Sequence, residues 1–427
     1  MPKKPLRPPA PPESGPNGPL LGTWQAAGLS MAVIASAAAD GLGALLGAVT
    51  VIPVIYALTR LRAYAPHARS TAELIGATLG PRAGFAAGAI QLLAYLALAA
   101  KFAVALGAVV LVDFSSGDDP AKVVLWLPAC ALVAALAVGA VVCWVTTRVV
   151  ASVVTLLVVA GLLVYVYLAV AVTARVAAGS DAVVIGTAAT PSQLSGQLVG
   201  FGLGMVGVEL VTARAARIAR PGRSMSLAVA VVIGAAVILW VGDHQGVAGP
   251  WRWNAKFLTE AVPEFYADAG WTWMAVAGVA LTAAAALASG WAAVRVAAGL
   301  AAAREATPNT GPRVAVVGLV AAMAATVSAH GMRGIATVVF GAAALLLILL
   351  YVFATEANSR IPGDSLVAWW VRLIVPALAV VLVVKPVVDA HFAVVEVATV
   401  IATMLGACAA SVAASLSRAP RVVAKSE

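Results

Sequence analysis

Apolar residues fill this chain in long blocks, broken by short connections rich in Gly, Pro and charged residues. A bilayer core of about 30 Å needs roughly 20 apolar residues of helix to cross it. Blocks of that size fall at roughly 23–40, 42–60, 82–112, 123–145, 149–174, 194–213, 225–243, 267–302, 313–330, 334–355, 366–385 and 391–415, which predicts twelve spans. The first is short: 18 residues of α-helix rise about 27 Å. A partly unwound first span, turning at Asp40-Gly41, covers the membrane more easily.

Two polar connections are longer than the rest. Residues 61–81 carry Ser70-x-x-Glu73, the spacing of a helix capping box, and predict a short interfacial helix. Residues 244–266 carry Trp251, Trp253, Phe257 and Phe265, which suit a membrane interface. Eight prolines in residues 1–19 forbid a helix there and predict a disordered basic tail. Residues 416–427 form a second basic tail, leaving 20–415 as the membrane domain.

Composition sharpens this picture. Apolar residues are 62% of the chain and charged residues 11%. A soluble fold of this size cannot hide that much apolar surface. A soluble enzyme, a nucleic-acid binder and a disulfide scaffold are therefore set aside. Cys130, Cys143 and Cys408 lie far apart with no metal-ligand spacing, and no cofactor or metal motif is visible. The formal charge of +9 is a matter of placement. With the N-terminus in the cytoplasm, the inside connections and tails hold 20 Lys and Arg and the outside ones six. That is the positive-inside asymmetry of a plasma-membrane protein with both termini cytoplasmic. It also provides for contact with anionic membrane lipid. Lys101 is left within a span.

Three segments resemble the amino acid–polyamine–organocation (APC) superfamily of permeases. They are STAELIGATLGPRAGFAAGAIQLLAY at 70–95, GFGLGMVGVELVTARAARIARPGRSMSLAV at 200–229, and FLTEAVPEFYADAGWTWMAVAGVALTAAAALASG at 257–290. The resemblance implies an all-α polytopic membrane fold of about twelve transmembrane helices, a 5+5 inverted repeat plus two C-terminal helices. It places a small-molecule substrate at the midplane, where the first and sixth helices break and expose backbone N–H and C=O groups. The family's Gly-Ser-Gly in the first helix corresponds here to Ala35-Ser36-Ala37, which favours unwinding less by roughly 1 kcal/mol per lost glycine. In the sixth, Phe201, Gly202, Leu203, Gly204 and Gly207 are the expected substrate-binding segment. Leu203 stands where the family often has an aromatic gate, and Phe201 is the nearest substitute.

Three ionisable residues are candidates for coupling or gating. An unpaired Lys101 at its depth costs at least about 2.5–3.5 kcal/mol, so it needs a partner or a water-filled cavity. Asp40 falls at similar depth and is the expected partner; the plain alternative is a structural pair, or Lys101 snorkelling outward. Glu209 follows the glycines of the sixth span. The resemblance implies a gating or protonation group there; the plain alternative is a helix-end carboxylate paired with Arg214 or Arg217. Beyond Thr272 near its start, span eight offers only Thr282 and Ser289 as hydroxyls, seven apart, whereas the resemblance implies neighbouring hydroxyls there for a sodium site; this favours proton coupling or exchange over sodium. The function these features predict is secondary transport of an amino acid, polyamine or related organic amine. The competing readings are a membrane scaffold without transport and a membrane-embedded acyltransferase. The second lacks the intramembrane His or acidic cluster such an enzyme needs.

Overall fold

In the computed structural model, the residues described are 21–37, 42–66, 68, 70–114, 120–177, 207, 209, 210, 221–244, 271–302, 311–329 and 335–361. They form ten helices: α1 Thr23–Ala37, α2 Leu42–Tyr64, α3 Thr71–Leu79, α4 Pro81–Phe114, α5 Pro120–Trp144, α6 Thr147–Ala177, α7 Pro221–His244, α8 Trp271–Ala302, α9 Gly311–Ala329 and α10 Ile335–Ser359. The fold is all-α and polytopic. Nine of the twelve predicted spans coincide with a helix here, and the short α3 is the predicted interfacial helix. The spans at 366–385 and 391–415, both tails, and most of 194–213 lie outside the described residues.

Local chemistry sets the helix ends. Ser70 caps α3 by accepting from the Glu73 N–H at 3.2 Å. Gly80 ends α3 at φ 95, and its N–H donates to the Gly76 carbonyl at 2.9 Å. Pro81 then opens α4, where its missing N–H costs no hydrogen bond. The Leu-Gly-Pro-Arg run is thus a stop-and-start device between two helices.

Helices α4 and α8 form the centre. α4 packs against α3, α5, α8, α9 and α10, and α8 also meets α1 and α6. Both are rich in Ala and Gly, so their backbones approach closely; in a bilayer this replaces the hydrophobic effect as the packing force. The outer helices invert the usual pattern. α5 and α6 leave Leu125, Trp126, Val133, Leu136, Leu156, Leu163 and Tyr167 exposed. An apolar surface this continuous belongs against lipid. Apolar stretches long enough to cross a bilayer lie in α4, α5, α6 and α8.

At Gly107 of α4, a Cβ would lie 2.8 Å from the backbone of Ala131 and 2.9 Å from that of Cys130 on α5. Backbone cannot yield there. Gly107→Ala is expected to destabilise the protein by about 1–3 kcal/mol, the usual cost of overpacking. Gly234→Ala, with nothing within 4 Å of the new methyl, should be neutral or stabilising. Thermal melting in detergent separates the two, and equal melting points would contradict the packing described.

All the described arginines but Arg175, near the far end of α6, gather at one end of the bundle. Arg60 and Arg62 close α2, Arg82, Arg148, Arg223 and Arg313 lie in the first turns of α4, α6, α7 and α9, and Arg360 follows α10. Contacts of Gly222 with Thr59, Gly88 with Leu300, and Arg295 with Thr147 put these helix ends at the same level.

Candidate functional site

The chain departs from α-helical geometry at Gly207. Its φ is 108, a region costly for any residue with a Cβ. The Leu210 N–H donates back to the Gly207 carbonyl at 3.0 Å, a tight 3₁₀-type turn. The turn lies against α1: a Cβ on Gly207 would fall 2.8 Å from Val33 Cβ. Glycine is required here by conformation and by space.

This turn delivers Glu209 into the protein interior, where it has no solvent exposure. Its described partners come from three parts of the chain. The Tyr95 hydroxyl, from the middle of α4, donates to Oε1. The Tyr351 hydroxyl, from α10, donates to Oε2. The Gly207 N–H also donates to Oε2, at 3.3 Å. Both tyrosines are themselves fully buried. A buried carboxylate is tolerable only with such donors, and hydrogen bonds to an ionised group are about twice as strong as neutral ones. The cluster therefore ties the 207–210 turn, α4 and α10 together, with α1 packed beneath.

The donors are not equivalent. The Gly207 N–H is fixed and can only donate. A tyrosine hydroxyl both donates and accepts. A proton on Glu209 is accommodated at Oε1, where the Tyr95 oxygen can turn to accept it. Oε2 must remain an acceptor in either state. The site can therefore hold or release one proton with a reversal of one hydrogen bond.

Tyr95→Phe and Tyr351→Phe each remove one of these donors while keeping the ring. Each is expected to lower stability by about 1.5–3 kcal/mol. The double variant should show non-additive coupling, because both act on one carboxylate. Melting curves of the two singles and the double make the check. Strictly additive losses would mean the tyrosines do not share Glu209.

The other predicted site residues are placed as follows. Ala35 is buried in α1, and Ser36 and Ala37 form its last described turn, helical through Ala37. Phe201, Gly202, Leu203, Gly204, Asp40, Arg214 and Arg217 lie outside the described residues. Lys101 is half-buried on α4, its Nζ 5.1 Å from the Phe102 ring centroid. Two buried polar residues were not anticipated from the sequence. Gln91 lies one turn before Tyr95 and Asn358 two turns after Tyr351, both on the arginine side. Gln91 Nε2 and Asn358 Oδ1 have no hydrogen-bond partner among the described residues.

No family profile and no curated protein sequence matches the chain. The fold does match solved structures of the manganese transporter of Eremococcus coleocola. In its complex with an aromatic bis-isothiourea-substituted compound, the match covers 92% of this chain and 92% of that one, at 14% identity and a TM-score of 0.56. One point mutant gives 13% identity and a TM-score of 0.56, and another 14% and 0.57. This corrects the expected kinship with amino acid–polyamine–organocation permeases, since the structures matched here are of a manganese transporter. The reason is physical. The quoted segments encode a helix stop, a glycine turn and an arginine-rich connection, which serve the architecture and carry no information about cargo. What the chain shares with the manganese transporter is its fold.

Proposed function

We propose that the chain is a proton-coupled secondary transporter of a small polar solute, with Glu209 as the group that gains and loses the proton. One observation carries this reading: a fully buried carboxylate held by Tyr95, Tyr351 and the Gly207 amide, at a break in helical geometry. Proton binding there changes the local charge by one and alters the grip of the 207–210 turn on α4. That is the kind of two-state contact alternating access requires. Gln91 and Asn358 supply further buried polar atoms toward the arginine end, the side on which a proton would leave. By the positive-inside rule, that end is cytoplasmic. Lys101 is a second candidate for coupling, and Lys101→Met should then shift the pH profile of uptake.

The buried Gln91 Nε2 and Asn358 Oδ1, unpartnered among the described residues, suit a solute with hydrogen-bonding groups, so amino acids and small amines are the first to test. A second reading, transport of a divalent metal, is favoured by the cargo of the manganese transporter. Against it, no group of three or more His, Cys, Asp or Glu gathers among the described residues. Proteoliposomes with a trapped pH-sensitive dye distinguish the readings. The expected result is lumen acidification with an organic solute and accumulation driven by the pH gradient. Flux with Mn2+ alone would favour the second reading, and proton flux at the level of empty liposomes for every solute would remove the proposal.

A further inference from the structure

The buried polar groups on the arginine side of Glu209 follow two helices that meet at that residue. α4 starts at the arginine end and α10 finishes there, so the two run antiparallel where they pack. Tyr95 of α4 and Tyr351 of α10 reach the same carboxylate. Toward the arginine end, Gln91 lies four residues before Tyr95 and Asn358 seven residues after Tyr351. Both spacings return to the same face of a helix, at rises of about 6 and 10 Å. Gln91 and Asn358 therefore lie on the strips of α4 and α10 that face each other at Glu209. Thr355 falls between them on α10, its hydroxyl donating to the Val352 carbonyl at 2.9 Å. Helix α3 packs on both α4 and α10.

Gln91 is 1% exposed and Asn358 2%. Gln91 Nε2 can only donate and Asn358 Oδ1 can only accept, and neither has a partner among the described residues. Leaving such atoms unsatisfied is costly, and apolar side chains of the same size would fill the space without that cost. A buried water suits the pair: it accepts from Nε2 and donates to Oδ1. Its second lone pair is then open to the Tyr95 hydroxyl and its second hydrogen to a further water. The strip is short on its outer side, because Asn358 stands two residues before the exposed Arg360.

Glu209 is the one buried charged residue among those described. The helices that meet around it are α1, α4 and α10. α1 carries no ionisable side chain. Besides the tyrosines, α4 carries Arg82, Lys101 and, at its far end, Asp113; α10 carries Glu356, with Arg360 just after it. Arg82, Lys101, Glu356 and Arg360 are all at least partly exposed, as is Glu73 of α3.

We propose that the strip between α4 and α10 is a water-lined proton route from Glu209 to the arginine end, with Gln91 and Asn358 as positioning residues that hold its water. This rests on the transport reading, in which Glu209 gains and loses a proton. The proton on Oε1 passes to the Tyr95 oxygen, the original Tyr95 hydroxyl proton passes to the water, and a proton leaves that water toward the arginine end. Glu209 is left as the carboxylate and Tyr95 again donates to Oε1. The two amides orient the water and exchange no proton themselves. A solute seated on the same two atoms displaces the water, so the proton leaves after the solute has gone.

Infrared difference spectroscopy of the full chain in detergent tests the route with no solute present. A jump from acid to alkaline pH should bleach a protonated-carboxyl band that Glu209→Gln lacks. Gln91→Leu and Asn358→Leu keep the approximate size of the side chain and remove its polar atoms. Each should leave the band at its wild-type frequency, because Tyr95, Tyr351 and the Gly207 amide still hold Glu209. Each should slow the loss of the band by roughly tenfold or more, toward the 10²-fold or more that a positioned proton-transfer group contributes. Melting points should hold or rise, since the replaced groups add no hydrogen bond within the described protein. If one variant fails to fold, the other carries the test. X-ray radiolytic labelling of wild type adds a check that needs no variant, because activated bound water should label the buried Tyr95 ring. Band loss at the wild-type rate in a folded leucine variant would overturn the route and leave the role of Glu209 standing. So would a Tyr95 ring that stays unlabelled in wild type. A pH jump that bleaches no band missing from Glu209→Gln would overturn the route and the transport reading together.

Discussion

Glu209→Gln is expected to abolish uptake driven by a pH gradient while leaving the protein folded. Glutamine reproduces the protonated carboxyl in shape and in hydrogen bonding. Its carbonyl oxygen must take the Oε2 position, because the Gly207 N–H there can only donate. Its amide then faces the Tyr95 oxygen, which can accept. The variant is thus locked in one of the two states that coupling needs. Solute–solute exchange across the membrane, which needs no net proton movement, should persist. Loss of gradient-driven accumulation with retained exchange is the signature to look for in proteoliposomes. Accumulation at wild-type rates and with a wild-type pH profile would sink the assignment of Glu209.

Glu209→Ala separates coupling from architecture. It removes the acceptor as well as the charge, leaving two buried hydroxyls and a buried amide without their partner. Each unsatisfied group costs about 1–3 kcal/mol. The alanine variant should therefore melt well below wild type while the glutamine variant does not. If both melt alike and both fail to accumulate solute, Glu209 would be a structural tie alone.

The extent to which all this could be read from sequence follows from how membrane helices encode themselves. Length and hydropathy are enough to locate a helix that must satisfy its own backbone in lipid, so the ends of α4, α6 and α8 fall within a few residues of the apolar blocks. Capping chemistry is equally local, which is why Ser70 and Glu73 announce α3. Glu209 could be singled out because a carboxylate is rare beside such glycines. Its partners could not. Tyr95 and Tyr351 lie 114 and 142 residues away from it in sequence. They sit in helices apolar on every side, so no polar stripe reveals which face turns inward. Lys101 illustrates the same gap. Its place within a span was legible, but its half-buried setting depends on how α4 is rotated, and only packing decides that.

Gly207→Ala should be the most damaging single methyl in the site. Two costs add. A φ of 108 is unfavourable for alanine by at least about 1–2 kcal/mol. The new Cβ would also lie 2.8 Å from Val33 Cβ, an overlap worth about 1–3 kcal/mol unless α1 moves. Together these predict a loss of about 2–5 kcal/mol. The turn would relax by drawing Glu209 away from Tyr95 and Tyr351, so transport should fall with stability. Second-site changes separate the two costs. Val33→Ala leaves the offending Cβ in place and should not rescue Gly207→Ala. Val33→Gly removes it and should recover the steric part, seen as a favourable coupling in the double-mutant cycle. The backbone part should remain, because nothing at position 33 changes the φ that position 207 must adopt. A Gly207→Ala protein that melts within about 0.5 kcal/mol of wild type, the range of an ordinary surface substitution, would mean that the turn beside Glu209 does not need glycine.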